Sequence, residues 1–273
     1  MWPVLAVGLA LLGFAAWRCV SARRHAAALA EPFDAATLAM LERRVPLYRA
    51  LPVELKPALH RAMRSFLLAK RFVGCNGLEV TDDMRHVIAA QACMLVCRRE
   101  HAQFDGFTSV LLYPDAFVVD LVDHDGEVEI RHEEVRAGES WPGGPVILSW
   151  ADVEAGLARA DDGYNVVLHE FAHKLDDENE IAEGLPLLQD PAQLESWARV
   201  LGREFAALVR GEGELLDDYG AVSPAEFFAV VTEHFFEQGA ALAATHPALY
   251  AEFRRYYGLD TAAWRVSSRT VPA

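Results

Sequence analysis

The stretch Asn165-Val-Val-Leu-His-Glu-Phe-Ala-His-Lys-Leu-Asp176 constrains the fold of this chain more than any other. Leu168, Phe171, Ala172 and Leu175 recur at i, i+3, i+4 and i+7, the spacing that lines one face of an α-helix. That face has to be buried against a core. His169 and His173 fall on a different face, one turn apart, so both imidazoles can reach one point in space. Glu170 is rotated by about 100° from His169 and stands beside that point. Such a helix needs one neighbour to cover its apolar face and another to bring further groups to the imidazoles.

Two imidazoles at i and i+4 with a glutamate after the first form the HExxH arrangement. Zinc suits it, because three protein ligands leave a fourth position for a water whose pKa falls to about 7. A carboxylate alongside can take a proton from that water and later deliver it to a leaving amine. His169 and His173 are therefore candidate zinc ligands and Glu170 a candidate general base. An ordinary amphipathic helix with two solvated histidines is the alternative.

A third ligand could come from Ser223-Pro-Ala-Glu226-Phe-Phe-Ala-Val-Val-Thr-Glu233-His-Phe-Phe-Glu237. Ser223, Pro224 and Glu226 predict a capping box at the start of a helix. Glu226 and Glu233 lie seven residues apart on one face amid apolar neighbours, and a buried carboxylate needs a partner that a divalent ion could supply. Spacing alone does not choose between them. Asp176 shares the histidine face, where it either orients an imidazole or caps the helix end.

The composition fits a folded domain with a sizeable core: 52% of the 273 residues are hydrophobic and 24% charged. A formal net charge of −15, from 40 acidic against 25 basic residues, repels phosphate backbones and argues against nucleic acid as a partner. Cys19, Cys75, Cys93 and Cys97 form no CxxC pair and no dense framework, so a disulfide scaffold is not expected. Cys93 and Cys97 share a helical face and read as buried thiols.

The amino-terminal run MWPVLAVGLALLGFAAW carries no charged side chain and is followed by Arg18, Arg23 and Arg24. As a helix it would cover roughly 26 Å, near the thickness of a bilayer core. Basic residues after the run, rather than before it, favour an anchor over a cleaved signal peptide. Residues 1–24 are thus expected to be a transmembrane helix in the inner membrane, with the rest of the chain in the cytoplasm.

Residues 25–44 read as a linker with a short helix, 45–260 as the main domain and 261–273 as a tail. PVELKPALHRAMRSFLLAKRF and TDDMRHVIAAQACMLVCRRE have helical spacing, the second capped by Thr81 or Asp82. FTSVLLYP, AFVVDLV, EVEIRHEEV and PVILSW are rich in β-branched and aromatic residues and predict a small sheet. Helices are expected again around 151–158, 162–177, 191–210, 223–238 and 246–257. Helices, strands and helices in that order predict an α+β fold.

The stretches KRFVGCNGLEV, VLLYPDAFVVD, SWPGGPVILSW, HEFAHKLD and PAEFFAVVTEHFF, in that order, resemble the Mlc titration factor family of bacterial zinc peptidases. The likeness covers roughly residues 45–260. It implies a zincin-like catalytic domain related to that of anthrax lethal factor, and aminopeptidase-like action on short peptides. The family takes its third zinc ligand from the Glu of the AEFF motif, here Glu226, which leaves Glu233 either beside the metal or in a structural role. It places a tyrosine seven residues earlier, here Tyr219, suited to donate a hydrogen bond to a developing oxyanion. An upstream histidine can fill the metal's open position at rest; His132 is the nearest match, with a departure in its distance to the following Ser-Trp pair. In zincins a sheet edge binds substrate as an added strand, a role PVILSW could take unless it is a plain core strand. The family's named member captures a transcriptional repressor of sugar uptake, which implies a cytosolic regulatory protein as a second kind of partner. The apparent membrane anchor departs from that picture.

Overall fold

Caps and prolines set the helix starts. Thr81, Ser149, Asn165, Asp190 and Ser223 each accept a backbone N–H of the turn they precede, and Pro191, Pro224 and Pro247 occupy first-turn positions. The computed structural model describes residues 26–99, 104–125, 128–140, 143–179, 183–188 and 190–267. The chain divides into two compact units, Met1–Asp34 and Ala35–Ala273. In the second, the elements are α1 (Ala35–Arg44), α2 (Pro46–Ala50), α3 (Lys56–Ala69), β1 (Arg71–Gly74), α4 (Asp82–Met94), β2 (Ser109–Tyr113), β3 (Phe117–Asp125), β4 (Val128–Arg136), β5 (Gly138–Ser140) and β6 (Val146–Ser149). There follow α5 (Trp150–Ala158), α6 (Val166–Asp176), α7 (Pro191–Val209), α8 (Pro224–Glu237), α9 (Gly239–Thr245) and α10 (Pro247–Tyr257).

The result is an α+β fold with a small mixed sheet of order β1-β2-β6-β5. β1, β2 and β6 are parallel, and β5 closes one edge antiparallel to β6. Val110 pairs with Val146 and Leu112 with Leu148; all four are fully buried, the every-second-residue pattern of a strand with one face on a core. β3 and β4 form a separate two-stranded hairpin.

Several expectations need correction. The predicted transmembrane helix falls on residues outside those described, and among the described residues no helix is long and apolar enough to cross a membrane. The described residues form an α+β domain. PVILSW is an interior strand, flanked by β2 and β5, so the sheet edge belongs to the three-residue β5. The helix predicted to run on to Phe72 stops at Ala69, and Arg71–Gly74 becomes the opposite edge strand. Lys70 between them is buried, and its ammonium donates to the carbonyls of Phe104 and Phe107, the latter at 2.6 Å. Of the two helical cysteines, Cys93 is buried and free, while Cys97 lies beyond the end of α4, half-buried and free.

Two aromatic clusters brace the elements that matter most. The predicted apolar face of α6 is wholly buried, and its Phe171 meets Phe104, Phe66 and Phe107 at ring distances of 5.1, 5.6 and 5.8 Å. Behind α8, Phe228 and Phe253 pack on Trp197, with Tyr256 at 5.3 Å from the same indole. α6 and α8 are thereby each anchored in an aromatic cluster of its own.

Candidate metal centre

The histidine face of α6 looks onto α8. His169 Nε2 lies 2.9 Å from Glu226 Oε2, His173 Nε2 lies 3.4 Å from the same oxygen, and the two Nε2 atoms are 3.2 Å apart. One ligand atom from each of these three residues falls within 4.8 Å of the others. Among the described residues this is the one group of three or more such side chains close enough to share an ion.

Ser223 caps α8 as expected, accepting from the Glu226 N–H at 3.2 Å. The Glu226 carboxylate does not return to the Ser223 amide, because the imidazoles engage it, so only half of the predicted capping box forms. Burial works against its charge, but its hydrogen bonds to His169 and His173 outweigh burial and hold its carboxyl well below the usual carboxylate range.

Glu233 stands one step further out. Its Oε1 accepts from His169 Nδ1 at 2.7 Å, which fixes the ring with Nε2 facing Glu226 and His173. Burial disfavours charge on His169, yet Glu233 and then Glu226 override it and raise the imidazole well above its ordinary range.

Glu170 is 6% exposed and has Oε2 buried without a hydrogen-bond partner. Burial pushes its carboxyl up to about 7. β5 passes so close that a Cβ on Gly138 would fall 2.4 Å from Glu170 Oε1. Tyr219 rides on a 3-10 turn, Asp218–Ala221, whose cap Asp217 accepts from the Tyr219 N–H at 2.8 Å. The Tyr219 ring is 49% exposed and lies 5.9 Å from the His169 ring.

One expected group lies elsewhere and a second is not described. Asp176 is buried at the end of α6, but its Oδ2 accepts from the Gly184 N–H at 2.8 Å. Gly184 has φ +73, receives the Trp197 indole N–H at 3.2 Å, and lies where a Cβ would come 2.1 Å from the Pro224 carbonyl. Asp176 therefore ties the loop after α6 to α7 and to the start of α8. His132 lies in β4 opposite Leu121, and its side chain is outside the described part of the structure. Sequence reasoning missed Gly138 and Gly184, since neither lies in a periodic segment.

Comparison with known proteins accords with this geometry. Residues 19–258 match the family described as glucose-regulated metallo-peptidase M90. An uncharacterized protein of Synechocystis sp. is 40% identical over 228 residues, 81% of this chain and 83% of that one. Mlc titration factor A of Cronobacter sakazakii is 34% identical over 259 residues, 91% of this chain and 94% of its own length. The protein of the same name from Klebsiella pneumoniae subsp. pneumoniae is 35% identical over 209 residues, 73% of this chain and 77% of its own. A match of this extent, over a chain that folds two histidines and a glutamate together, makes the protein a member of the M90 metallo-peptidase family.

Proposed function

We propose that this protein is a zinc peptidase that hydrolyses short peptides in an aminopeptidase-like manner, with His169, His173 and Glu226 holding the ion. The observation that carries the reading is the convergence of those three side chains, with the unpartnered Glu170 carboxylate next along the same helix. Two neutral imidazole nitrogens and one carboxylate oxygen are the donor set of a catalytic zinc site with a position left open. When bound, zinc supplies Lewis acidity toward a water molecule and a peptide carbonyl.

The chain's own groups do the rest. Glu170 takes a proton from the attacking water at its free oxygen and carries it to the departing amine. Burial raises its carboxyl, which favours handing that proton on to the amine once it has been taken up. Tyr219 donates its phenolic hydrogen to the oxygen that becomes negative as the carbonyl is attacked. β5, the sheet edge beside Glu170, offers main-chain hydrogen bonds to an extended peptide.

Metal analysis of the purified chain should find about one zinc, and chelation should abolish hydrolysis. Glu170→Gln should retain the metal and lose on the order of 10²–10⁴-fold in kcat. Full turnover in that variant would overturn the assignment.

A second reading, capture of a regulatory protein, is favoured by the name Mlc titration factor A carried by relatives that align over most of this chain. Glu170→Gln separates the two, since a binding role survives the loss of the base. Retained Mlc binding in a pull-down, with the cellular phenotype of the wild type, would favour capture over hydrolysis.

A further inference from the structure

Asn165 immediately precedes α6 and is 2% exposed. Its backbone N–H donates to Glu233 Oε2 on α8. Its Nδ2 donates to Gln91 Oε1 on α4 and to Glu237 Oε1 on α8, each at 2.9 Å. Its Oδ1 accepts from the Leu168 N–H at 3.1 Å, and its carbonyl accepts from the His169 N–H at 2.9 Å. Each donor and acceptor of this buried residue is therefore in use, across three helices.

The chain just before it is pinned by the same helix. The Gly163 N–H donates to Glu237 Oε2 at 3.2 Å. Gly163 has φ +85, and a Cβ there would lie 2.7 Å from His234 Nε2 of α8. So α8 presents Glu226 to the imidazoles, Glu233 to both His169 and Asn165, and Glu237 to Asn165 and Gly163.

We propose that Asn165 is a positioning residue of the metal centre: by fastening the start of α6 to Gln91, Glu233 and Glu237, it sets where His169 and His173 stand relative to Glu226. This rests on the zinc peptidase reading. Capping alone does not explain the residue, because Ser, Thr or Asp would accept the Leu168 N–H as well. Only an amide side chain of this length also supplies two N–H bonds to Gln91 and Glu237. Asp would set a third carboxylate against Glu233 and Glu237, and Ser would leave two buried oxygens without donors. Either change shifts the first turn of α6, and His169 follows one turn later.

Zinc affinity, measured on the full chain by competition with a chelator, tests this together with the visible spectrum of the cobalt-substituted protein. Asn165→Asp is expected to weaken zinc binding about 10- to 100-fold and to shift the cobalt bands, as loss of a ligand-orienting contact does. Glu237→Gln is expected to act in the same direction, toward the lower end of that range. The reciprocal pair Asn165→Asp/Glu237→Gln exchanges donor and acceptor between the two helices, and the Gln91 amide can turn to face the new carboxylate. Turning Gln91 gives up its 3.4 Å bond to the Val87 carbonyl, so the pair is expected to recover part of the lost affinity and to move the cobalt spectrum back toward the wild type. Wild-type affinity and spectrum in the single variants would overturn the proposal, as would a double variant whose loss is the plain sum of the single ones. Should Asn165→Asp fail to fold, Glu237→Gln decides by the same two readouts. A wild-type chain that takes up no zinc would instead sink the peptidase reading, and this inference with it.

Discussion

A methyl group on Gly138 would lie 2.4 Å from Glu170 Oε1, 2.6 Å from its Cγ and 2.7 Å from its Cδ, so Gly138→Ala displaces the carboxylate. We expect that variant to bind zinc normally and to lose roughly 100-fold in kcat, the cost of moving a reacting group by about 1 Å. Parallel metal analysis and steady-state kinetics check it. Glu170 also gives the metal-free protein a pH signature. Burial raises its carboxyl from 4.5 to about 7, so between those values the folded chain keeps a proton that the unfolded chain has released. Its contribution to stability is full below the lower value and is lost as pH rises through the upper, on the order of 3 kcal/mol in all. Denaturant titrations of chelated protein across that window should show the decline, and Glu170→Gln should flatten it. His169, Glu170 and His173 were legible in the sequence because helical spacing fixes their relation within a single turn. Gly138 and Asn165 were not, because what they do depends on side chains far along the chain.

At the scale of elements, what the sequence showed well were helices whose caps and periodicity agree. α8 was expected over 223–238 and spans Pro224–Glu237, and α10 was expected over 246–257 and spans Pro247–Tyr257. β1 and β5 were invisible, at four and three residues, because nothing in so short a run repeats; their neighbours impose the strand on them. β6 was seen as a strand with its place in the sheet left open, edge or core, since alternation reports burial and not strand order. Ser223 illustrates how one element serves another. Its hydroxyl holds the first turn of α8, the turn that carries Glu226, so Ser223→Ala should cost about 1 kcal/mol of stability. A thermal melt of the chelated protein measures that loss, and a chelator competition should register weaker zinc binding beside it.

For the whole molecule, the proposed zinc and the fold would be thermodynamically linked. The two ligand-bearing helices, α6 and α8, are held by separate aromatic clusters, so an ion gripping both binds the folded state and not the unfolded one. Zinc at 100 times its Kd should add about 2.7 kcal/mol to stability, read as a fall in Tm when a chelator removes it. An unchanged Tm would mean that the ion does not prefer the folded state. The α+β architecture followed from the order of helical and strand-like runs, whereas the apolar amino terminus, read by hydropathy alone, supplied an element that the described fold does not contain. β5 is three residues long, about 10 Å of main chain at the usual strand rise. A ledge that short holds a guest by a handful of amide contacts and then runs out, so its grip stops growing once the guest overhangs it. Tripeptides and long polymers would rest on it equally firmly.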